Sequence, residues 1–162
     1  MKKFTRSESK FIFFTLFILF VVSGYNFAIS IRRGRDSIRK NDIAAVQGAL
    51  DTYFQKYKVY PDATEDGLIV GCFENGPVLD EKTEVPINAI PCVWGQSKFE
   101  DLRSIPQDPN YKKGVSYYYT SSGQQYKFYI ALEGKDEAEY TKVIADKNLQ
   151  CGTKICNYGR GN

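Results

Sequence analysis

The first feature of the hydrophobic pattern is an uninterrupted run from Phe11 to Ile31 that contains no Asp, Glu, Lys or Arg. At about 1.5 Å of rise per helical residue, this run spans roughly 30 Å, the thickness of a bilayer's hydrocarbon core. It is longer than the apolar region of a cleaved signal peptide, and no Ala-x-Ala site follows it. The pattern therefore predicts a transmembrane helix over 11–31, preceded by a basic flank over 1–10 that is short enough to be a leader.

Beyond this run, apolar residues recur at steps of three and four, which is typical of one face of a helix. These residues are Ile43, Val46, Leu50, Tyr53 or Phe54, and Tyr57. Pro61 ends the pattern, because the residue before a proline is disfavoured in helical conformation. We predict one helix of roughly 70 Å, from Phe11 to about residue 58, apolar in its first half and amphipathic in its second. Asp36 and Asp42 are expected to form exposed ion pairs with neighbouring basic residues, each contributing little to stability.

A different period appears in "VSYYYTSSGQQYKFYIALE", over 115–133. Large apolar residues occupy every second position on both sides of the segment Ser121–Gln124, whose Ser and Gly residues favour a turn. Alternation of this kind is typical of strands that bury one face. The pattern predicts a β-hairpin over 115–133.

The rest of the chain shows weaker patterns. Residues 62–114 carry five of the six prolines and are interpreted as a long variable loop with short elements such as "GLIVGCF". Residues 134–162 form a cysteine-bearing tail, in which a third strand is predicted near 140–144. The expected fold class is α+β, with a long N-terminal helix packed on a small antiparallel sheet, and residues 32–162 form a single domain.

Cysteine usage bears on the compartment. Lys and Arg flank both ends of the apolar run, so their distribution does not orient the helix. All four cysteines lie beyond residue 70, and an even number of cysteines suits an oxidising compartment. We therefore expect a single-pass protein of the cell membrane with a cytoplasmic N-terminus and most of its chain outside the cytoplasm, or a subunit of an extracellular filament.

The spacing of the cysteines leaves two interpretations. Two local disulfides, Cys72 with Cys92 and Cys151 with Cys156, are the simplest of the three pairings that four cysteines allow. A zinc site is the alternative, although such sites usually contain pairs of cysteines two residues apart, and this chain has none.

Composition also bounds the function. The chain has no histidine, no catalytic triad pattern and no phosphate-binding glycine loop, so we expect no enzymatic activity. We expect no cofactor, with calcium in the acidic segment 134–140 as the alternative, and Asp136 and Glu137 are otherwise interpreted as part of a solvated loop. A net charge of +3, much of it beside the apolar run, favours membrane lipid rather than nucleic acid as a partner.

Two groups of residues carry a resemblance to a known family. In the helix they are Arg35, Asp36, Arg39, Lys40, Asp42, Ile43, Val46, Gln47, Ala49, Leu50, Tyr53, Tyr60 and Pro61. In the sheet region they are Leu102, Pro106, Asp108, Pro109, Tyr117, Tyr119, Tyr126 and Ala131–Glu133. In kind and order they resemble the motifs of type IV pilin-like proteins, in particular the major pseudopilin-like subunits of type II secretion systems. The resemblance implies a pilin-like fold.

The N-terminus resembles the processing region of that family in part. Phe4, Thr5 and Glu8 have the family's mutual spacing, whereas Lys3 stands where the family has the glycine that precedes cleavage. Lys3, Phe4 and Glu8 are thus the candidate processing and assembly residues.

The resemblance implies a structural subunit of a pilus or secretion pseudopilus that polymerises through its N-terminal helix. Its partners would be identical or related subunits and the inner-membrane secretion or pilus assembly machinery. The alternative is an uncleaved, permanently anchored extracytoplasmic binding module with a pilin-like fold.

Overall fold

The computed structural model describes residues 6–162, and its dominant element is helix α1, Arg6–Tyr57. Its 52 residues give a length of about 78 Å. Lys58 leaves the helix with φ of 59°, and its N–H still donates to the carbonyl of Phe54 at 2.8 Å. The helix therefore ends shortly before Pro61, as its periodicity predicts.

The first sheet lies in the long connection after α1. Strands β1, Asp62–Ala63, β2, Ile69–Cys72, and β3, Ile90–Pro91, pair antiparallel in the order β1-β2-β3. A disulfide joins Cys72 to Cys92, with 5.3 Å between their Cα atoms, at the end of this sheet.

The second sheet contains the predicted hairpin. Strands β4, Tyr118–Ser121, and β5, Tyr126–Ile130, pair antiparallel, with Tyr119 opposite Phe128. The four residues between them close the turn through a bond from the Ser122 N–H to the carbonyl of Gln125.

The third strand of this sheet is not where the sequence predicted it. Residues Lys142–Ala145 form a short helix, α2, and the free edge of β5 is filled by the C-terminal strand, Tyr158–Gly161. Two glycines suit this strand to the position: a Cβ at Gly159 would lie 2.6 Å from the ring of Tyr129, and one at Gly161 would lie 2.1 Å from the carbonyl of Tyr126. The prediction of a strand near 140–144 was therefore wrong. The strand that pairs with β5 lies nearer the C-terminus, and its glycines allow the close approach without producing an alternation of apolar residues in the sequence.

The remaining tail is stapled to the second sheet. Strands β6, Gln150–Cys151, and β7, Lys154–Ile155, form a two-stranded ribbon closed by the Cys151–Cys156 disulfide, and the C-terminal strand is therefore β8. Asn157 ties the ribbon to β5, since its side chain bonds both the N–H and the carbonyl of Leu132 at 2.8 Å.

The main core forms where the second half of α1 meets the sheets, and it is rich in tyrosine. The predicted stripe is buried there, with Val46, Leu50 and Tyr53 fully or almost fully inaccessible and Tyr57 half-buried. Their partners are Tyr60, Ile69, Phe99, Ile105, Tyr117, Tyr119, Tyr126, Phe128 and Ile130. The fold class is thus α+β: a long N-terminal helix packs its second half on small antiparallel sheets. We call residues 58–162 the head.

Candidate functional site

The first half of α1 is an exposed apolar rod. Its large apolar side chains between Phe11 and Ile31 are exposed, with Phe20 at 77%, except for the half-buried Ile29. Within the described residues, α1 is the one helix that is long and apolar enough to cross a membrane. Buried residues of the described chain begin only at Asp36, so the head buries no side chain of this surface.

The transition between the two halves is built around a buried cation. The guanidinium of Arg39 donates from Nε and Nη2 to the two carboxylate oxygens of Asp108, at 2.6 and 2.9 Å. Its Nη1 donates to Asp36 at 2.7 Å and to Glu133 at 2.9 Å. One guanidinium thus joins three parts of the chain: α1, the connection after it and the end of the hairpin. The side chains that are fully or almost fully buried here are Arg39, Asp36 and Asp108. The paired geometry on Asp108 is the strong, planar mode that Arg favours with carboxylates.

Besides its ion pair with Arg39, Asp36 binds the backbone at the end of the hairpin. Its carboxylate accepts the backbone N–H groups of Glu133 at 2.9 Å and of Gly134 at 3.0 Å. The prediction that Asp36 forms an exposed pair is wrong, because the side chain is fully buried under the chain that leaves β5. A buried carboxylate is tolerated here because both of its oxygens accept hydrogen bonds.

The charges of this cluster stabilise one another. Burial alone would lower the pKa of Arg39, but its hydrogen bonds to Asp108, Glu133 and Asp36 outweigh burial and raise it. The hydrogen bonds from Arg35, together with those from Arg39, lower the pKa of Glu133 to about 2. Both shifts favour the ionised forms of Arg39 and Glu133.

Three further basic residues of α1 bind the acidic segment after β5. Arg35 donates to both oxygens of Glu133, at 2.7 and 2.5 Å, and Arg32 binds Asp136 at 2.6 Å. Lys40 donates to Glu137 and Glu139, both at 2.8 Å. The interpretation of Asp136 and Glu137 as merely solvated is corrected, since each has a cationic partner on α1. We call these contacts, with the Arg39 cluster, the charged junction.

The two sets of motif residues contact each other further along α1. The hydroxyl of Tyr117 donates to Asp42, and the amide of Gln47 donates to the hydroxyl of Tyr126 at 3.2 Å. Burial raises the pKa of Asp42, more than the bond from Tyr117 lowers it. The Tyr119 hydroxyl donates to the carbonyl of Pro61 at 2.9 Å. The helix motif and the sheet motif are therefore one continuous internal joint.

The other candidate residues lie at the border of these contacts or away from them. Lys3 and Phe4 lie outside the described residues, and Glu8 lies in the first turn of α1, where a carboxylate suits the helix dipole. Tyr60 packs against Tyr126 with the two rings tilted by 57° and their centroids 4.6 Å apart. Pro106 and Pro109 flank the buried Asp108 and are half-buried.

Sequence reasoning missed Glu133 as a partner of the helix motif, and it missed the burial of Asp36 and Arg39. A signal for the burial was present. The apolar stripe, extended backwards at the same steps of three and four, runs from Ile43 to Arg39 and Asp36. Helical periodicity thus places both charges on the buried face.

The charged junction does not form a metal site. In the part of the chain that the structure describes, no group of three or more Asp, Glu, Cys or His side chains is arranged to hold a metal ion. The cysteines are paired as the two local disulfides, and the carboxylates of 133–139 face Arg and Lys instead.

Fold and junction together define the class: an α+β protein whose long N-terminal helix leaves one apolar, exposed half beyond a disulfide-stapled head. Comparisons of the chain with models of protein families, with curated proteins and with solved structures find no match.

Proposed function

We propose that this chain is a membrane-anchored structural subunit with a pilin-like fold, of a type IV pilus or a type II secretion pseudopilus. In this proposal, subunits polymerise through the N-terminal helix. The apolar half of α1 lies in lipid before assembly and packs against neighbouring helices afterwards. The protein acts by assembly and protein secretion rather than by catalysis.

The observation that carries the proposal is the division of α1 at the charged junction. Before Arg32 the helix is apolar and exposed, and from Asp36 onwards its buried face packs against the head. An anchor alone requires only about 20 apolar residues. A continuous helix of about 78 Å, fixed rigidly to its head, is suited to subunits that move from lipid into a helical bundle.

Two details of the apolar half support helix packing. Gly24 and Ala28 lie four residues apart, and no neighbouring atom lies within 4 Å of the position of a Cβ at Gly24. Small residues at this spacing allow the backbone of a second helix to approach closely in a membrane.

We further propose that the N-terminus is cytoplasmic and the head extracytoplasmic, where disulfides persist. Partners are identical or related subunits, the assembly machinery of the inner membrane, and lipid. A membrane-impermeant maleimide should label Gln124→Cys, in the exposed hairpin turn, on intact cells, whereas Ser9→Cys should react only after permeabilisation. Labelling of Ser9→Cys alone on intact cells would reverse the topology.

A second candidate function is an uncleaved, permanently anchored binding module with the same fold. The observation that favours it is the N-terminal sequence: Lys3 replaces the glycine of the cleavage site, and Arg6 and Lys10 add charge where the family is apolar. Mass spectrometry of the mature protein from its host separates the two candidates. A methylated Phe4 as the first residue supports assembly, whereas an intact Met1 supports the anchored module.

A further inference from the structure

One exposed surface of the head is a rigid turn inside the Cys72–Cys92 disulfide loop. The N–H of Ile87 donates to the carbonyl of Val78 at 2.9 Å, and the N–H of Asp80 donates to the carbonyl of Val85 at 3.0 Å. The Asp80 carboxylate accepts the N–H groups of Lys82 and Thr83 at 3.0 and 2.9 Å. We call residues 78–87 the acidic tip; its hydrogen bonds preorganise it, which lowers the entropic cost of binding.

The acidic tip exposes apolar and acidic side chains together. Val78 and Leu79 are exposed, and Ile87 is 67% exposed. Glu81 and Glu84 lie on either side of the exposed Lys82, and neither glutamate forms an ion pair within the described residues. An ordered, exposed apolar patch bordered by charge is typical of a surface that a partner covers.

A second surface is a cleft of about 550 Å³ between the end of β5 and the β6–β7 ribbon. Its volume lies within the range of binding pockets. Arg39 and Glu133 contribute to its lining, and the charged junction occupies both. Lys113 and Lys154 also line it, and neither has a carboxylate partner in the described chain. We call this surface the basic cleft.

The basic cleft is chemically the complement of the acidic tip. Besides its two unpartnered lysines, it presents the exposed side chain of Ile155, with the almost fully buried Val115 and Leu132 beneath it. The tip offers two unpartnered carboxylates beside three exposed aliphatic side chains. Such pairing of charge with charge and apolar surface with apolar surface gives both register and specificity.

We propose that the acidic tip of one copy docks in the basic cleft of a second copy of this chain. This proposal rests on the proposed function and names the contact between the heads. Glu81 and Glu84 of one copy face Lys113 and Lys154 of the next, and Ile87 covers the apolar side of the cleft.

The positions of the two surfaces along α1 make this contact directional. Val85 and Ile87 line one pocket with Tyr53 and Tyr60, near the distal end of the helix, whereas the cleft lies beside Arg39. Fourteen residues separate Arg39 from Tyr53, so parallel copies staggered by about 21 Å along α1 bring tip and cleft to the same height. Because the two surfaces differ, each dock leaves one tip and one cleft free, and such heterologous contacts build open chains.

Disulfide trapping tests the contact in the full-length protein. The variant Glu81→Cys/Lys154→Cys, oxidised in host membranes, should give a ladder of dimers and larger species on a non-reducing gel. Each single variant should give no ladder. The matched control is Glu81→Cys/Gln124→Cys, whose second cysteine lies in the exposed hairpin turn. It should run as a monomer on the same gel. Equal ladders from the two double variants would overturn the specific contact.

Charge reversal supplies a second test that involves no new cysteine. Glu81→Lys/Glu84→Lys should reduce at least tenfold the amount of homo-oligomer captured by a photo-activatable cross-linker at Phe20. Adding Lys113→Glu/Lys154→Glu should restore that amount. All four side chains are exposed, so the circular dichroism spectrum should be unchanged.

A photo-activatable cross-linker at Phe20 distinguishes failure of this contact from failure of the proposed function. Homo-oligomers captured at Phe20 without any tip-to-cleft disulfide would overturn the docking and leave the proposed function intact. Loss of both would overturn the proposed function itself. A disulfide between Cys at position 81 and a different protein would show that the occupant of the contact is not a second copy of this chain.

Discussion

Arg39 joins α1 to the head through buried ion pairs. It is the cation shared by Asp36, Asp108 and Glu133, and these acids come from the helix, the connection and the hairpin end. Desolvating such a group is costly, and its partners repay that cost only while all of them are present. A buried ion cluster therefore fixes one orientation of helix and head, because other orientations leave charges unpaired.

Substitution of Arg39 by Met should destabilise the soluble fragment 34–162 by about 3–5 kcal/mol, because Asp36 and Asp108 would stay buried without a cation. This fragment retains every buried residue of the described chain. Urea unfolding of the fragment measures the effect. Lys40→Met is the control and should cost at most about 1 kcal/mol, since the side chain of Lys40 is partly exposed. Equal losses for the two variants would contradict the role of Arg39.

Glu133 makes the stability of the fragment depend on pH. Its folded pKa of about 2 lies below the unfolded value of about 4.5, so the ionised form stabilises the fold above about pH 4.5. That contribution is lost as the pH falls from about 4.5 to about 2. We expect Glu133→Gln to be less stable than the wild type at pH 7, with the difference shrinking towards pH 2.

Urea unfolding at several pH values checks this expectation, with Glu74→Gln as the control, because Glu74 is exposed and forms no ion pair in the described chain. The raised pKa of Asp42 has the opposite effect on stability, because ionisation of this carboxylate is opposed by its burial and destabilises the fold as the pH rises. This effect is the same in the wild type, Glu133→Gln and Glu74→Gln, so it cancels when they are compared. A difference between wild type and Glu133→Gln that is constant with pH would contradict the assignment.

Helix α1 is one element with two environments, and the stripe from Asp36 to Tyr57 marks where the head begins. The stripe and the hairpin could be predicted from sequence because their periodicities of 3.6 and 2 are local properties of the chain. The pairing of Arg39 with Asp108 could not, since 69 residues separate them and neither side chain signals its partner. Strand β8 was missed for a similar reason: glycine at Gly159 and Gly161 enables a close approach but adds no apolar alternation.

Leu50 tests the packing of this stripe. Leu50→Ala in fragment 34–162 should cost about 2–5 kcal/mol, because the side chain is fully buried among the rings of the core. Ile38→Ala, on the same helix but 48% exposed, should change stability by less than about 0.5 kcal/mol. A loss below that value for Leu50→Ala in urea unfolding would mean that the stripe does not pack on the hairpin.

On the scale of the whole molecule, the chain combines a stapled, rigidly attached head with a long apolar rod that the head does not cover. The sequence predicted this arrangement because an uncharged run is followed directly by an amphipathic one. The rod requires either lipid or other helices around it. The proposal that it ends in a helical assembly therefore depends on what surrounds Phe11–Ile31 in the host.

Cross-linking at the rod tests this central claim most directly. A photo-activatable cross-linker at Phe20 of the full-length protein, activated in host membranes that contain the assembly machinery, should capture a ladder of homo-oligomers. Fragment 34–162, which lacks the rod, should sediment as a monomer, because the small contact between tip and cleft does not hold two heads together without the packing of the rods. Full-length protein that remains monomeric and cross-links to lipid alone would contradict the claim and favour the anchored binding module.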